Sequence, residues 1–284
     1  MIDLHVHTTA SDGSLTPAEV VTHACEKKLS AIAITDHDSI SGIGEAVNAG
    51  KESGLCVVPG IEMSCVRDDV ELHILGYYLD WESEDIANDL IWFQGARDRR
   101  NSIIIKNFHD AGIDISRKDL QFGNPDTVIG RGHFARYLVE HGIVSDKREA
   151  FEKYLYENGP FVPRKLITSE EVMDFMRKYN IYPALAHPMQ YNMTPGKLDR
   201  TIGELVEMGL RAVEVWHPST RIGSDNMLLK IVNKYGLMPT GGSDFHGSNK
   251  PGLDIGTGYG TLYVDDDVLA KMNVARNQEG LSQG

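Results

Sequence analysis

This sequence of 284 residues has few cysteines, no long apolar run and little positive charge, and each of these features excludes certain classes of protein. It has 3 cysteines, an odd number without CxxC spacing, so neither a disulfide framework nor a thiolate zinc site is expected. We therefore predict that Cys25, Cys56 and Cys65 are buried, reduced thiols. No uninterrupted apolar run reaches the roughly 18 residues that a membrane helix requires, and no membrane partner is expected.

Positive charge is scarce as well. The chain carries 28 Lys and Arg against 41 Asp and Glu, a net charge of -13. A groove for long nucleic acid needs a broad basic surface, so long nucleic acid is not an expected partner. A small phosphorylated ligand is compatible with this charge, because a few local arginines and bound cations can reverse the field inside a cleft. The chain opens without a basic, apolar leader, and a cytoplasmic location is the expectation.

The sequence does contain alternating strand and helix patterns. Short apolar runs such as "AIAIT" (31–35) and "YPALAHP" (182–188) precede turns and helix-like stretches. Two of these stretches, 17–28 and 169–178, open with the helix-start signals Thr16-Pro17 and Ser169. The alternation predicts an α/β fold with a parallel sheet, closed or open.

Residues 82–165 break this alternation. Segments such as "GHFARYLVEHGI" show the periodicity of amphipathic helices and no strand pattern. We expect a helical insertion over 82–165 that caps an α/β domain built from residues 1–81 and 166–284.

Ligand-type residues gather at the ends of the predicted strands. In the opening stretch "MIDLHVHTTASDG", His5 and His7 are two apart on a short strand and so share one face. Because the carboxyl ends of strands in a parallel barrel form one face, ligands at several strand ends should converge there. Isolated histidines such as His23 and His109 carry no such signal. The predicted metal ligands are His5, His7, Asp12, His37, Glu62, His73, His187, Asp244 and His246.

The donor types restrict the metal. Imidazole and carboxylate without sulfur favour Mn²⁺, Fe²⁺ or Zn²⁺ over an all-oxygen site for Mg²⁺ or Ca²⁺. Nine ligands are too many for one ion, so a cluster of two to three divalent metal ions is expected. Asp36 is expected to orient one of the imidazoles.

Six motifs, in chain order, resemble one family. "DLHVHTTASDGSLTP", "AITDHDSISG", "GIEMS", "ELHILGY", "AHP" and "GSDFHG" are similar to those of the PHP (polymerase and histidinol phosphatase) family of metal-dependent phosphoesterases. The resemblance runs from residue 2 to about 247 and implies a distorted (β/α)7, TIM-like barrel with a trinuclear site.

The resemblance also implies how the ligands are shared. One ion would be held by His5, His7, Glu62 and Asp244, and Glu62 would bridge to a second ion held by His73 and His187. Asp12, His37 and His246 would hold the third. Among these ligands we expect Glu62, Asp12 and His246 to serve catalysis most directly.

The insertion resembles the helical subdomain of family members that act on nucleotide 3′,5′-bisphosphates, through "GRGHFARYLVEHG" (130–142) and "GPFVPRK" (159–165). It implies phosphate contacts from Arg131 and His133, followed by Arg164 or Lys165, because guanidinium groups suit bidentate phosphate recognition. A solvated helix face is the alternative for the arginines. His217 follows a predicted strand and either lines the site or is structural.

The expected reaction is hydrolysis of a phosphomonoester on a small nucleotide, with a 3′,5′-bisphosphate giving the 5′-monophosphate and phosphate. The nucleophile would be a hydroxide shared by two ions. Three alternatives stay open: 5′-3′ exonuclease action on short oligonucleotides, amidohydrolase-type amide hydrolysis, and a non-catalytic metal-binding module. Amide hydrolysis is less favoured because Glu62 occupies the bridging position of a lysine. A non-catalytic module is less favoured because all nine ligands are present.

Overall fold

The computed structural model describes residues 1–125, 127–156, 158–163, 167–221 and 223–278. Its centre is a seven-stranded sheet whose strands lie side by side in chain order. The strands are β1 Ile2–Val6, β2 Ala31–Ile34, β3 Cys56–Arg67, β4 Val70–Tyr77, β5 Tyr182–Leu185, β6 Ala212–Trp216 and β7 Met238–Gly241. The His7 amide, just beyond β1, donates to the Phe245 carbonyl beyond β7 at 2.9 Å. The first and last strands thus meet, and the predicted α/β barrel is confirmed.

One strand runs against the predicted direction. The strands β1, β2 and β3 are parallel, as are β5, β6 and β7, but β4 is antiparallel to both of its neighbours. The expectation of a parallel sheet is therefore wrong at β4. Only Asp68 and Asp69 join β3 to β4, and both have positive φ, +46° and +63°. Such a two-residue hairpin turn reverses the chain at once and leaves no room for a crossover helix.

The strand β3 is also longer than the parallel strands β1 and β2. Because β3 continues to Arg67 as one arm of the hairpin, Glu62 lies inside the strand. It is nevertheless level with the end of β2, since His37 bridges to Glu62 just beyond that strand. Glu62 therefore still lies at the end of the barrel where the other parallel strands finish.

The described residues form ten α-helices, and the predicted start of the first one is confirmed. Thr16 Oγ1 accepts from the Glu19 amide at 3.3 Å, and the Glu19 carboxylate accepts from the Thr16 amide at 2.8 Å. This reciprocal capping box fixes the helix start ahead of Pro17. The helices are α1 Pro17–Glu26, α2 Ile43–Ser53, α3 Glu84–Asp110, α4 Arg117–Leu120, α5 Arg131–Glu140, α6 Lys147–Lys153, α7 Ser169–Lys178, α8 Pro195–Glu207, α9 Ser224–Tyr235 and α10 Asp266–Gln278. The predicted helix at 169–178 is α7, with Thr168 rather than Ser169 as its N-cap.

The helices α3 to α6 enclose an apolar cluster of their own. Phe108, Phe134, Leu138 and Val162 are all fully buried within it. Among the described residues between 82 and 163, the regular secondary structure is entirely helical. This packing favours a cap separate from the barrel, and the boundaries at 82 and 165 stay a prediction.

A different apolar cluster joins α10 to the strand ends opposite Glu62. It contains Ile2 and Tyr182, the first residues of β1 and β5, together with Met272 of α10. That end of the barrel is therefore filled by side chains, and the opposite end is the one available for a site.

The cysteines agree only in part with expectation. None of the three forms a disulfide, but Cys65 is buried, Cys25 is half-buried and Cys56 is exposed. Cys56 opens β3 at the rim of the barrel, where its side chain reaches solvent. Across the described parts of the chain, no helix combines the length and apolar character needed to cross a membrane.

Candidate metal centre

Ligand-type side chains from six strands or the loops after them meet at one end of the barrel. His5 lies in β1, and Glu62 and His73 lie in the β3–β4 hairpin. His187 follows β5, and Asp244 follows β7. The parallel strands all finish at this end, so residues far apart in sequence are brought within contact distance.

Glu62 occupies the middle of this arrangement and is 1% exposed. Its Oε1 lies 2.8 Å from His73 Nδ1 and 3.0 Å from His187 Nε2. Its other oxygen, Oε2, lies 3.0 Å from His37 Nδ1 and 3.3 Å from His7 Nε2. The two carboxylate oxygens thus face different histidines, which is the arrangement that a bridging ligand needs.

Two further groups of contacts flank Glu62. His246 Nε2 lies 3.1 Å from Asp12 Oδ1. On the other flank, His5 Nε2 and His7 Nε2 are 3.1 Å apart, and Asp244 Oδ1 lies 3.5 Å from His7 Nε2. Carboxylate oxygens and ring nitrogens therefore point toward shared spaces rather than toward solvent.

All nine predicted metal ligands belong to this assembly, which we call the ligand cluster. Their donor atoms form four overlapping groups in which all atoms lie within 4.8 Å of one another: His7, Asp12, His37 and His246; His5, His7 and Asp244; His5, Glu62 and His187; and His37, Glu62 and His73. The groups overlap at Glu62, His5, His7 and His37, as expected for a cluster of ions rather than one isolated ion.

The carboxyl groups of the cluster are held in the anionic form. Burial opposes ionisation of Glu62, but the nearby rings of His37 and His73 outweigh it and hold its pKa well below the usual range. Burial likewise opposes ionisation of Asp12, and the fields of His246 and His37 lower its pKa well below that of a free aspartate.

Most of the shifted imidazoles are held neutral. Burial lowers the pKa of His7 and of His37, and it lowers the pKa of His187 to about 4. At His5 burial acts in the same sense, but neighbouring carboxylates, first that of Glu214, raise the pKa well above the usual value. Anionic carboxylates and neutral imidazoles are the forms that bind metal ions.

Unsatisfied polar atoms test whether these residues fit metal ions. Asp12 Oδ1 and His37 Nδ1 are buried and make no hydrogen bond of good geometry among the described residues, although His246 Nε2 and Glu62 Oε2 lie 3.1 and 3.0 Å from them. A buried polar atom without a partner costs free energy, and coordination would remove that cost. The donor set of imidazole and carboxylate matches divalent transition metals. The residues present therefore fit the implied ions.

Glu214 supports the cluster and was missed by the sequence analysis. It lies in β6 and is fully buried; its Oε1 contacts His5 Nδ1 at 3.0 Å, and its Oε2 accepts from the His187 amide at 2.7 Å. Carboxylates that hold the second nitrogen of a metal-binding imidazole fix its tautomer and direction. The available signal was a charged residue inside the apolar strand "AVEVW".

Asp36 has a different role from the expected one. Its carboxylate accepts from the Thr8 amide at 2.8 Å and from Ser11 Oγ at 2.6 Å. Ser11 Oγ lies 3.4 Å from His7 Nδ1. Asp36 thus fixes the loop after β1, and among the described contacts it reaches an imidazole only through Ser11.

A cavity of about 850 Å³ opens above the ligand cluster, and we call it the main cavity. Its volume falls within the range of small-molecule sites, roughly 300–1,000 Å³. Seven of the ligands line it, together with cationic side chains: Asp12, His37, Glu62, His73, His187, Asp244 and His246 on the barrel, and Arg97, Arg100, Arg131, Lys147 and Lys250 around them. Cationic side chains therefore surround the carboxylates of the ligand cluster.

Arg131, at the start of α5, lines the main cavity. Its Nη2 lies 3.0 Å from Glu71 Oε2, and Glu71 Oε1 lies 3.2 Å from His73 Nε2. Glu71 therefore connects a candidate phosphate-binding residue to a candidate metal ligand. Glu71 and His73 are two apart on β4 and so share one face, but the sequence carried no signal for the contact with Arg131.

Of the other residues predicted to contact the substrate, only His133 lines the main cavity among the described residues. His133 is buried, and its Nδ1 accepts from the Gly130 amide at 3.0 Å, which closes the first turn of α5; its ring also lines the main cavity. His217 does not line that cavity, and its Nε2 lies 3.5 Å from Asp244 Oδ2. Arg164 and Lys165 lie outside the described residues.

Comparison with known proteins places this centre in a family. The PHP domain model matches residues 3–157. The chain is 34% identical to the 5′-3′ exoribonuclease Rnm of Escherichia coli over 86% of its length and 84% of the relative's. It is 30% identical to the 3′,5′-nucleoside bisphosphate phosphatase of Chromobacterium violaceum over 90% of each chain.

Two solved structures have the same fold over nearly the whole chain. A protein from Bifidobacterium adolescentis, provisionally assigned as a metal-dependent phosphoesterase, superposes with a TM-score of 0.84 at 29% identity, covering 96% of this chain and 95% of that one. An amidohydrolase from Chromobacterium violaceum, solved with bound sulfate and no metal, gives a TM-score of 0.85 at 29% identity over 97% and 96% of the two chains. With a PHP model matching more than half of its length and a ligand cluster that fits divalent ions, this chain belongs to the PHP family of metal-dependent phosphoesterases and is a hydrolase.

Proposed function

We propose that the chain removes a phosphate group from a small nucleotide, with a nucleoside 3′,5′-bisphosphate as the preferred substrate and the 5′-monophosphate and inorganic phosphate as products. One observation carries the proposal: the ligand cluster around Glu62 forms the floor of a cavity whose wall holds the Arg131 guanidinium. A phosphate there would meet cations on two sides. The bisphosphate phosphatase relative supports this choice of substrate.

The nine ligands would hold two to three divalent ions, with Mn²⁺, Fe²⁺ or Zn²⁺ preferred for the donor set. When bound, such ions polarise the phosphoryl oxygens and lower the pKa of the attacking water. Glu62 would hold two of them through its separate oxygens, which already face different histidines. Asp12 and His246, 3.1 Å apart, would fix the position of the third.

Arg131 would bind a non-bridging phosphate oxygen and spread the charge of the transferring group. Its orientation depends on Glu71, which holds the guanidinium from one side and faces the ring of His73 from the other. Glu71 therefore sets the distance between the phosphate-binding arginine and the cluster, and it acts as a positioning residue.

A second candidate function is 5′-3′ exonuclease action on short oligonucleotides. The Rnm relative of Escherichia coli carries that name at 34% identity over most of both chains. Both reactions place a phosphate ester over the same cluster, and they differ in the leaving group. The phosphatase releases inorganic phosphate, whereas the exonuclease releases nucleotides.

Two finer expectations accompany the proposal. The helical residues 82–165 would serve as a cap that supplies substrate contacts to a barrel formed by 1–81 and 166–284. A cytoplasmic location is favoured by a small nucleotide substrate and by three cysteines that form no disulfide.

The test is a phosphate-release assay with Mn²⁺ on nucleoside mono- and bisphosphates, 5′-phosphorylated short RNA and histidinol phosphate. The proposal expects the highest kcat/KM on a nucleoside 3′,5′-bisphosphate, with stoichiometric inorganic phosphate. Faster release of mononucleotides from short RNA would replace it with the exonuclease. Turnover of histidinol phosphate alone would overturn both.

A further inference from the structure

A second cavity of about 480 Å³ lies beside the main cavity, and we call it the second cavity. Four residues line both cavities: His133, Val139, Lys147 and Asn249. The two spaces are therefore neighbours, and these side chains contact both. The second cavity also approaches the ligand cluster from the Asp12 side, since Asn249 Nδ2 donates to the Asp12 carbonyl at 2.9 Å.

The wall of the second cavity contains a guanidinium that is fixed on two sides. The Arg136 guanidinium carbon lies 3.7 Å from the centre of the Phe122 ring, so the two planar groups are in contact. Arg136 Nε donates to Glu140 Oε1 at 2.7 Å. The Arg136 side chain is nevertheless 36% exposed, and it lines the second cavity.

The backbone at Phe122 is held in an unfavourable conformation. Its φ is +46°, in the left-handed region that a bulky side chain rarely adopts. In this conformation the ring contacts Arg136 and also lies near His133, whose ring centre is 6.1 Å away at an interplanar angle of 22°. Strained residues that hold a planar group in a cavity wall are typical of ligand sites.

A planar ring is the ligand that this wall fits best. The Arg136 guanidinium already lies against the Phe122 ring, and its charge is paired with the Glu140 carboxylate at 2.7 Å. A neutral planar ring can stack on a guanidinium that is paired with a carboxylate, because stacking uses the planar face and not the N–H groups.

We propose that the second cavity binds a nucleobase of the substrate, stacked on the Arg136 guanidinium, while the phosphate lies over the ligand cluster. This inference rests on the proposed function and adds the element that recognises the base. Hydroxyl and amide groups of Thr9, Ser14 and Gln121 lie in the same wall and can meet the polar edge of a base.

The test compares Arg136→Ala and Arg136→Lys with the wild-type protein on adenosine 3′,5′-bisphosphate and on ribose 5-phosphate, which lacks a base. Because Lys keeps the charge and loses the plane, both variants should lose about 5- to 100-fold in kcat/KM on the bisphosphate, mainly through KM. Ribose 5-phosphate should be turned over at the wild-type rate. Phe122→Leu should lose activity on the bisphosphate in the same selective way.

Arg177→Ala is the matched control, because Arg177 also pairs with an acidic residue on its own helix but lies on α7, on the solvent side. Melting temperatures of all variants check that each is folded. Equal losses on both substrates, or full activity of Arg136→Lys on the bisphosphate, would overturn the inference.

The hydrolysis assays and a binding measurement together distinguish failure of this inference from failure of the proposed function. If the wild-type protein hydrolyses nucleotides and the Arg136 variants do so equally well, the base site is wrong and the function stands. If no nucleotide is hydrolysed, the proposed function is wrong. Isothermal titration with adenosine then tests whether the second cavity binds a nucleobase. Weaker binding of adenosine by Arg136→Ala than by the wild type supports the base site, and equal binding rejects it.

Discussion

At the scale of single residues, Glu62 carries the greatest share of the expected chemistry. Its two oxygens face different histidines, so Glu62→Gln removes negative charge from the point where two cations would repel each other. We expect lower metal content and a fall in kcat of about 10²-fold or more. Metal analysis of purified protein, with phosphate-release kinetics, provides the measurement.

Glu82→Gln is the control for that change, because Glu82 is exposed and its substitution removes the same charge at a position away from the ligand cluster. Its metal content and rate should equal those of the wild type. Should Glu62→Gln keep both, Glu62 would not be the bridge.

Arg131 is a second single residue that can be tested, and we expect it to bind the phosphate and not the metal ions. Arg131→Ala removes a charged donor from the cavity wall while every member of the ligand cluster stays in place. We expect a loss of about 10- to 100-fold in kcat/KM, the typical contribution of a hydrogen bond to a charged group. A rise in KM would indicate equal binding of substrate and transition state, and a fall in kcat would indicate binding of the developing charge.

Metal content should be unchanged in Arg131→Ala, and metal analysis beside the kinetics checks this. Arg117→Ala is the control variant, since Arg117 is an exposed arginine at the start of α4 that pairs with Asp98 at 2.7 Å. Wild-type kinetics in Arg131→Ala would return this residue to a solvated helix face.

At the scale of elements, the contact between α5 and the barrel controls one of the ligands. Gly132 lies in the first turn of α5, and a Cβ placed on it would be 2.8 Å from Asp12 Oδ2. Gly132→Ala should therefore push the Asp12 carboxylate from its position and lower metal content, with a smaller effect on folding. Metal stoichiometry and melting temperature, measured together, separate the two effects.

Gly95 in α3 supplies a matched helical glycine. A Cβ there would meet only the end of the flexible Arg99 side chain, at 3.4 Å. Gly95→Ala should keep full metal content and gain about 0.5–1 kcal/mol of stability from the reduced freedom of the unfolded chain. Identical behaviour of the two variants would refute a specific contact between α5 and Asp12.

At the scale of the whole molecule, bound ions should stabilise the barrel. The cluster joins residues from the first strand to the loop after the last one, so metal binding opposes unfolding of the entire sheet. Removal of metal by a chelator should lower Tm by about 5 °C or more if ions were present at roughly 100 times their Kd. Thermal unfolding with and without added Mn²⁺ checks this, and an unchanged Tm would contradict it.

The metal-free protein should lose stability as the pH falls. The folded pKa of His187, lowered by burial to about 4, lies below that of a free histidine, so the unfolded chain binds more protons between about pH 6.5 and pH 4. Its contribution is therefore complete above about pH 6.5 and is lost as the pH falls through 4. The depressed pKa of Glu62 acts in the same direction but below about pH 4.5, whereas the raised pKa of His5 acts in the opposite direction above about pH 6.5. Urea unfolding across this range gives the measurement.

The sequence by itself determined the local features of this protein. Periodicity and capping signals located helices such as α1 and α7, because these depend on neighbours within a few residues. Imidazole and carboxylate residues near the strand ends identified the ligand cluster, because parallel strands must finish at a common end.

Only the tertiary structure decided what depends on contacts between distant segments. The direction of β4 follows from a two-residue turn at Asp68 and Asp69, a pair without the glycine that usually reveals such turns. The contact of Glu71 with Arg131 and the stacking of Arg136 on Phe122 both depend on how helices after β4 pack. Sequence periodicity gives the face of an element, but packing of side chains fixes which faces meet, and here that packing places the proposed base and phosphate sites beside the ligands.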